Sequence, residues 1–595
     1  MTDFFFENFS DVIIGIGIFT YFSFYLLYRK DLKKIYNSKV LFLSVFLFFL
    51  YWIPQGFDIT DEGYVLTKSW FMLHGAWHQN VDMIWGSSLF NGLWLSILST
   101  PNLLWARIGF AIITALNSLL VFQIIRLYFP VKETFLFVLG LSLFIPFGSP
   151  QTINYQNVPT IFILLSFMFF LKGNKHNTGS LIVLSGFLIF TAVMFKFPLI
   201  VFLPFPFIYY ALEYIFFKKS IKIKFKYSIL SLGGIIGGIL FFVFILYLSD
   251  SLTNYVAAVS GKFQNAEKFD STHSMSHLFM VYKNDLILIF ERILLALAFI
   301  FSAGFFSRFF KKKVYKTSFV LLFGFVLILY ALKVRVYYNW IYTILGFELA
   351  ALIVFFIFSF KYSGKYFALY FFAIYMFFFS FTGSDIGFRL NMWSGSEVFF
   401  GSVFLLLLYF TEVKTDAFKL NFKSLIISFF LFLFILFVKI KPDYIYRDQT
   451  RKNLSHTFKS VGLKGIKSIK ERVEVTDSLL SFLNSEIKEK DKLFVTGTIP
   501  MFYFLTNKKP VLQNLWIQDK DDFKNYLKEN NLPDYFLFPV KNPRNPAWPV
   551  KSSVIRKTDS INLVYYKSFI MSNTYKNIYR NSMFEVFKKN TEISD

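Results

Sequence analysis

The sequence is dominated by apolar stretches long enough to cross a membrane, and about fourteen lie between residues 11 and 440. A helix needs about 20 apolar residues to span the hydrocarbon core of a bilayer. The chain is 55% hydrophobic and 17% charged, whereas soluble domains carry about 25% charged residues. These features predict an α-helical polytopic membrane protein with about 13–14 transmembrane helices, and they exclude a soluble globular fold.

The loops between the apolar stretches alternate in charge. One set is rich in Lys and Arg: 29–34, 218–226 and 308–313. The other set is poor in them: 55–101, 148–157, 249–284 and 382–396. By the positive-inside rule the basic set is cytoplasmic. Loop 55–101 and everything after residue 440 are therefore expected on the extracytoplasmic side of the inner (cytoplasmic) cell membrane.

Composition changes after residue 440. Residues 441–595 are more polar and contain no spanning stretch. Their pattern predicts two strands, at 492–497 and 534–539, and two helices, at 498–506 and 520–530, which together are typical of a small α/β domain with a partly parallel sheet. Three segments are therefore expected: a transmembrane catalytic domain at 1–440 with the external loop 55–101, an interfacial linker at 441–475, and an extracytoplasmic α/β domain at 476–595.

Three carboxylates, Asp58, Asp61 and Glu62, follow one of these apolar stretches within five residues of one another. A charge is costly in hydrocarbon, so acids this close to the bilayer are typical of a functional site. The alternative is that they solvate a helix end or cap the next helix near its positive N-terminus.

An external loop that opens with Asp-Glu and an aromatic residue, directly after a helix running from the cytosol to the outside, resembles the GT-C class of glycosyltransferases. This class includes the protein O-mannosyltransferases and the lipid A aminoarabinose transferases. The motif covers mainly residues 56–75 and, more weakly, 187–196, which ends in a lysine. The stretch at 11–28 is an extra N-terminal span relative to the class.

The resemblance implies transfer of a sugar from a polyprenyl-phosphate donor to a hydroxyl of a lipid, glycan or protein acceptor. Asp61 is then the candidate base, with Glu62 orienting the acceptor or the base, and Asp58 is a second candidate. The leaving phosphate needs fixed cations. The candidates stand at external helix ends: Arg389, Lys196, Arg335 and Lys333. Snorkelling at the membrane interface is the alternative for each cation.

Tyr64, Trp70 and Asp385 are the candidates for contacting the substrate, although Trp near a membrane surface is more often part of an aromatic belt. His74, His78 and Asp82 recur every four residues, so a helix would place them on one face as a divalent-metal site. Ordinary polar loop histidines are the alternative, and no cofactor is otherwise required.

The glycines at 233–234 and 237–238 lie inside an apolar stretch. No Lys-Ser/Thr follows them, so they are expected to form a helix-packing face and not a phosphate loop. Cysteine is absent, which excludes disulfides and thiolate metal ligands.

A multi-pass lipid or glycan transporter or flippase is the alternative function. Ionisable residues are scarce in the middle of the apolar stretches, which argues against transport. An oligosaccharide ligase or polymerase of another architecture would need a large late external loop, and 382–396 has only about fifteen residues.

The net charge of +25 does not require a nucleic-acid partner. The expected partners are the lipid-linked donor, the acceptor and membrane lipids.

Overall fold

The computed structural model describes most of the chain in separate ranges. They are residues 31–75, 82–143, 150–218, 220–265, 275–307, 339–358, 360–391, 396–411, 447–512, 520–550, 557–573 and 575–590, with a few isolated positions. Helices and strands are numbered along these residues. The apolar stretches at 11–28, 317–332 and 424–440 lie outside them, apart from single positions.

The apolar stretches in the described ranges form helices. The helices are α1 Ser38–Trp52, α2 Asp61–His74, α3 Trp85–Leu95, α4 Leu103–Ile125, α5 Val131–Ser142, α6 Asn157–His176, α7 Gly179–Phe195, α8 Phe205–Phe217, α9 Ile221–Leu248, α10 Leu252–Asn265, α11 Met275–Ser307, α12 Asn339–Phe358, α13 Phe360–Phe379 and α14 Ser396–Thr411. The predicted helical polytopic fold is thereby confirmed.

Four segments of the described ranges are long and apolar enough to cross a membrane. They are Leu103–Ile125, Asn157–His176, Phe197–Phe217 and Lys222–Leu248. Five further apolar helices are shorter, among them α1 and α7. The described part therefore shows fewer spans of full length than the fourteen counted in the sequence.

Helix α7 packs between α6 and α9. A Cβ atom on Gly186 of α7 would overlap the Ser231 carbonyl oxygen of α9, and one on Gly234 would overlap the Val183 carbonyl oxygen of α7. Gly233 has no neighbouring heavy atom within 4 Å of such a position. Small residues let two helix backbones approach closely, so Gly234 belongs to the predicted packing face together with Gly186, whereas Gly233 lies outside it.

The short helix α3 packs between helix α2 and the end of α7. A Cβ atom on Gly92 would stand 2.6 Å from the Ser69 carbonyl oxygen of α2. One on Gly86 would stand 2.7 Å from the Met194 carbonyl oxygen. With 11 residues, α3 is too short to span a bilayer.

The C-terminal part contains helices and strands that follow one another along the chain. They are α15 Lys470–Glu486, β3 Leu493–Val495, α16 Met501–Leu505, α17 Lys520–Glu529, β4 Tyr535–Pro539, α18 Lys557–Ser572, β5 Tyr575–Arg580 and β6 Phe584–Lys589. The four strands form one sheet in the order β3-β4-β6-β5. Strands β3 and β4 are parallel, as predicted. The antiparallel hairpin of β5 and β6 was not predicted, because the partly exposed residues of β5 lack an apolar alternation.

The C-terminal sheet domain docks on helix α2. A Cβ atom on Gly63 would stand 2.5 Å from the Met501 amide nitrogen, so the two backbones are in contact. The Thr67 hydroxyl donates a hydrogen bond of 2.7 Å to the Pro500 carbonyl oxygen. Helix α2 therefore packs directly against the C-terminal domain.

A second connection lies at the end of α1. The small strands β1 (His456–Thr457) and β2 (Lys467–Ser468) pair with each other. The Gly56 N–H donates to the Lys467 carbonyl oxygen at 2.9 Å, and the Lys467 N–H donates to the Pro54 carbonyl oxygen at 2.7 Å. Helix α15 runs across residue 476, where the sequence places a domain boundary, and that boundary stays a prediction.

The two adjacent glycines of α9 provide a matched test of the helix packing. Gly234→Ala is expected to destabilise the protein by about 1–3 kcal/mol, because its methyl group overlaps the backbone of α7. Gly233→Ala adds the same methyl group where nothing stands within 4 Å, and it is expected to leave the melting temperature unchanged or slightly raised. Thermal unfolding of both variants in detergent measures the difference. Equal melting temperatures would contradict the packing.

Candidate active site

Asp58 caps helix α2 from inside the protein. Its residue is 4% exposed. One carboxylate oxygen accepts hydrogen bonds from the Thr60 N–H at 2.9 Å and the Thr60 hydroxyl at 2.6 Å, and the other accepts from the Glu62 N–H at 2.9 Å. A carboxylate in this position satisfies amide groups that have no partner within the helix. Asp58 therefore caps the next helix, as the alternative interpretation of the acidic residues proposed.

Glu62 forms a buried, bidentate ion pair with Arg107 of α4. The Arg107 Nε and Nη2 groups donate to the two Glu62 oxygens at 2.8 and 2.7 Å, and both side chains are at most 3% exposed. Arg107 Nη1 also donates to the Ile53 carbonyl oxygen at 2.8 Å. Both carboxylate oxygens of Glu62 are thus occupied, and the pair fixes α2 to α4 and to the end of α1.

Asp61 is the acid of the three that keeps a substantial exposed surface. Its side chain is 24% exposed, and its Oδ2 atom lies 2.6 Å from Nη2 of Arg447. Asp61 is the first residue of α2, so its carboxylate also lies at the positive end of that helix.

Tyr64 and Lys68 follow Asp61 on the same face of α2, three and seven residues further along. Lys68 forms an ion pair with Asp82, which precedes α3. Burial raises the pKa of the Tyr64 hydroxyl, and the negative charge of Asp82 raises it further. The Asp82 carboxylate also accepts a hydrogen bond of 2.9 Å from the Ile84 N–H.

Tyr155, in the loop before α6, lies within electrostatic reach of these groups. Burial raises the pKa of its hydroxyl, and the charges of Asp61, Asp385 and Asp82 and the hydroxyl of Tyr64 add to the effect. Tyr155 therefore stays protonated at neutral pH and can donate a hydrogen bond. The sequence did not single it out, because it is one of 34 tyrosines. The sequence feature that could have identified Tyr155 is its position in a loop without Lys or Arg.

Lys196 follows the last residue of α7 and is 6% exposed. Its Nζ donates to the Ser380 carbonyl oxygen at 3.3 Å. The next residue, Phe197, donates its N–H to the Met83 carbonyl oxygen at 2.8 Å. Burial lowers the pKa of the Lys196 ammonium to about 8. Lys196 thus lies between the segment that carries Asp82 and the loop that follows α13.

Asp385 and Arg389 lie in the loop after α13. Asp385 is exposed, and Arg389 is partly buried. The Arg389 Nε group donates to the Ile386 carbonyl oxygen at 3.1 Å. Gly383 in this loop contacts Pro198, two residues after Lys196. The loop therefore brings Arg389 and Lys196 to the same part of the molecule.

Asp285 of α11 holds this loop in place, and sequence reasoning missed it. Its carboxylate accepts hydrogen bonds from the Phe388 N–H at 2.9 Å and from the Tyr342 hydroxyl. Gly387 has φ +60° and leaves no room for a Cβ beside the Asp285 carboxylate. The Arg389 guanidinium attracts the same carboxylate. The available signal was an acid at the first residue of a predicted span.

Trp70 and His74 face the C-terminal domain. Trp70 is 1% exposed, its Nε1 donates to the Asn507 Oδ1 at 2.8 Å, and its ring stacks on His74 at 3.8 Å. Nine residues, about 13 Å of helix, separate Trp70 from Asp61. The structure therefore surrounds Trp70 with protein and not with the groups around Tyr155.

The candidate metal site is described only in part, at His74 and Asp82. His78 lies outside the described ranges, as do the candidate cations Lys333 and Arg335. Where side chains are described, no group of three or more His, Cys, Asp or Glu residues is arranged to hold a metal ion. A role for His78, Lys333 or Arg335 stays a prediction.

The chain is similar to known enzymes over part of its length. Residues 87–247, from α3 to α9, match the model of the family described as dolichyl-phosphate-mannose-protein mannosyltransferase. No curated protein sequence matches the chain.

Solved structures with partial likeness come from Archaeoglobus fulgidus. Its oligosaccharyltransferase in the apo form shares 11% sequence identity, with 86% of this chain and 70% of that chain covered and a TM-score of 0.46. The archaeal oligosaccharyltransferase AglB in complex with an inhibitory peptide and a dolichol-phosphate shares 12%, with 80% and 65% covered and a TM-score of 0.41. These sequence identities and TM-scores are too low to assign roles to residues of this chain.

The buried pair of Glu62 and Arg107 is expected to be a main stabilising contact of the external loop. Glu62→Ala leaves the Arg107 charge buried without its carboxylate, which is expected to cost about 3–5 kcal/mol. Asp61→Asn alters a partly exposed pair and is expected to cost at most about 1 kcal/mol. Thermal unfolding in detergent compares the two variants. A Glu62→Ala protein as stable as Asp61→Asn would contradict the assignment.

Proposed function

We propose that the chain is a membrane glycosyltransferase of the GT-C class, which its family match over residues 87–247 supports, and that it transfers a sugar from a polyprenyl-phosphate donor to an acceptor hydroxyl outside the cytoplasm. The sidedness is supported by the alternation of basic and Lys/Arg-poor loops. A lipid-borne donor fits this side, where nucleotide sugars are not supplied.

One observation carries the assignment of the base. Asp58 and Glu62 are buried and occupied by a helix cap and by an ion pair. Asp61 keeps 24% exposure, and its charge and that of Asp385 both act on the Tyr155 hydroxyl. Asp61 is therefore the acid among the three that an acceptor hydroxyl can reach.

In the proposed reaction the acceptor oxygen attacks the anomeric carbon of the sugar while Asp61 takes the hydroxyl proton. The bond from that carbon to the donor phosphate oxygen breaks, and polyprenyl phosphate leaves with the electron pair. Lys196 and Arg389 supply positive charge for the phosphate, since fixed cations stabilise charge that develops in the transition state. The resemblance to the GT-C class implies inversion at the anomeric carbon.

Tyr64, Tyr155 and Asp385 are proposed to hydrogen-bond the sugar or the acceptor. Protonated phenols donate and the Asp385 carboxylate accepts, so together they suit a polyhydroxyl ligand. The acceptor class is a lipid, a glycan or a protein. For the domain at 476–595 we propose acceptor handling or support of the loop 55–101, since α16 contacts α2.

Replacement of Asp61 tests the proposed base. Asp61→Asn cannot accept the proton, so turnover is expected to fall about 10²–10⁴-fold, with membrane insertion and thermal stability close to those of the wild type. Transfer from a radiolabelled polyprenyl-phosphate sugar in detergent, with and without EDTA, measures the effect. A flippase would keep its function in this variant. Wild-type transfer by Asp61→Asn would therefore exclude Asp61 as the base.

The pH dependence of donor binding tests Lys196. Its pKa is lowered to about 8 by burial, so the side chain is mostly charged at pH 7 and loses its charge as the pH rises through about 8. A phosphate ligand needs that charge. The KM for the donor is therefore expected to rise between about pH 8 and 9, which initial rates at varied donor concentration will show.

Lys196→Arg is the matched control, because an arginine keeps its charge throughout this range. The rise of the donor KM above pH 8 is expected to disappear in Lys196→Arg, regardless of the donor KM of this variant at pH 7. An identical pH dependence in both proteins would remove Lys196 from the phosphate site.

A further inference from the structure

We propose that Arg447 is the residue that orients the Asp61 carboxylate for proton transfer, and that the C-terminal domain sets the position of Arg447 through a buried ion pair. The proposal rests on the proposed role of Asp61 as the base. It assigns a positioning role to a residue nearly 390 positions later in the chain.

The contact between the two side chains is direct. Nη2 of Arg447 lies 2.6 Å from Oδ2 of Asp61, and the side chains are 22% and 24% exposed. A guanidinium is planar and donates in fixed directions, so it restricts the rotation of the carboxylate that it binds. The charge of Asp61 also acts on the Tyr155 hydroxyl.

The backbone of Arg447 is held in an unfavourable conformation. Its φ angle is +54°, in the left-handed region that residues other than glycine, asparagine and aspartate rarely adopt. Such strain persists where the surrounding structure enforces it, and it concentrates at functional sites. A partly exposed ion pair adds little to stability, so stability alone does not account for the strained backbone.

The restraint on Arg447 comes from its neighbour Asp448. Asp448 forms an ion pair of 2.9 Å with Arg472 of α15, and both side chains are fully buried. Arg472 Nη1 also donates to the Arg447 carbonyl oxygen at 3.1 Å. The other Asp448 oxygen accepts from the Phe57 N–H at 2.8 Å. Arg447 is thereby fixed relative to Phe57, four residues before Asp61.

Arg472 is itself locked by the C-terminal domain. Its Nη2 group donates to the Pro546 carbonyl oxygen at 2.7 Å and to the Trp548 carbonyl oxygen at 3.1 Å. The guanidinium lies over the Trp548 ring, 4.1 Å from its centre. A continuous set of contacts therefore runs from the C-terminal domain through Arg472 and Asp448 to Arg447 and Asp61.

Three variants of the full-length protein test the proposal. Arg447→Asn removes the guanidinium and tolerates the left-handed backbone. Arg447→Lys keeps the charge without the planar donor group. Lys452→Asn removes the same charge from an exposed residue five positions further along, and serves as the control.

The kinetic readout is a separation of kcat from KM. Arg447→Asn is expected to lower kcat about 10–100-fold, as a misplaced catalytic group does, with the donor KM changed less than about threefold. The pH at which activity is lost on acidification is expected to rise, because the neighbouring cation is gone. Arg447→Lys should recover part of kcat and the wild-type pH profile, and Lys452→Asn should match the wild type throughout.

The second readout does not need turnover. Carbodiimide coupling of Asp61 to glycine ethyl ester, followed by peptide mass spectrometry, reports how accessible and protonated that carboxyl is. Coupling is expected to be at least about threefold faster in Arg447→Asn than in the wild type or Lys452→Asn. Wild-type kcat or wild-type coupling in Arg447→Asn overturns the proposal. If the wild type transfers no sugar, the proposed function fails, and coupling alone decides the role of Arg447.

Discussion

The geometry of the candidate site depends on the buried pair of Glu62 and Arg107. Two charges removed from water are costly unless their attraction and further hydrogen bonds compensate. Here the pair is bidentate, and a further Arg107 donor reaches the Ile53 carbonyl oxygen. One guanidinium thus joins α4, the end of α1 and the start of α2. The position of Asp61 follows, since it precedes Glu62 in the same helical turn.

Burial divides three neighbouring acids into different roles. Asp58 is enclosed and accepts backbone hydrogen bonds at the start of α2, while Glu62 is enclosed and neutralised by a cation. Both are fixed by contacts that a reacting acid would have to break. Asp61 stands between them with one observed ion pair and a partly exposed surface. The structural interpretation of the acidic cluster therefore holds for Asp58 and Glu62, and the proposed catalytic role is left to Asp61.

The sequence predicted what depends on local pattern. Apolar runs placed the described helices, and alternating strands and helices placed β3, α16, α17 and β4 in the C-terminal domain. Contacts between residues far apart in the chain produce no local pattern in the sequence. Asp285 reaches the loop after α13 across about 100 residues, and Tyr155 resembles any other loop tyrosine. Trp70 was expected at the substrate because it is aromatic and near the membrane, but its indole donates to Asn507 of the C-terminal domain.

The docking of the C-terminal domain also bears on what that domain can do. Ligands of domains with parallel strands commonly bind beyond the carboxyl ends of those strands. Strand β3 leads directly into α16, where the Met501 N–H donates to the Ile59 carbonyl oxygen and the Pro500 carbonyl oxygen accepts from Thr67. That edge is thus filled by the acidic loop and α2. This packing supports the proposed role of the domain in holding the loop 55–101, because the edge of its parallel strands is already occupied by this chain.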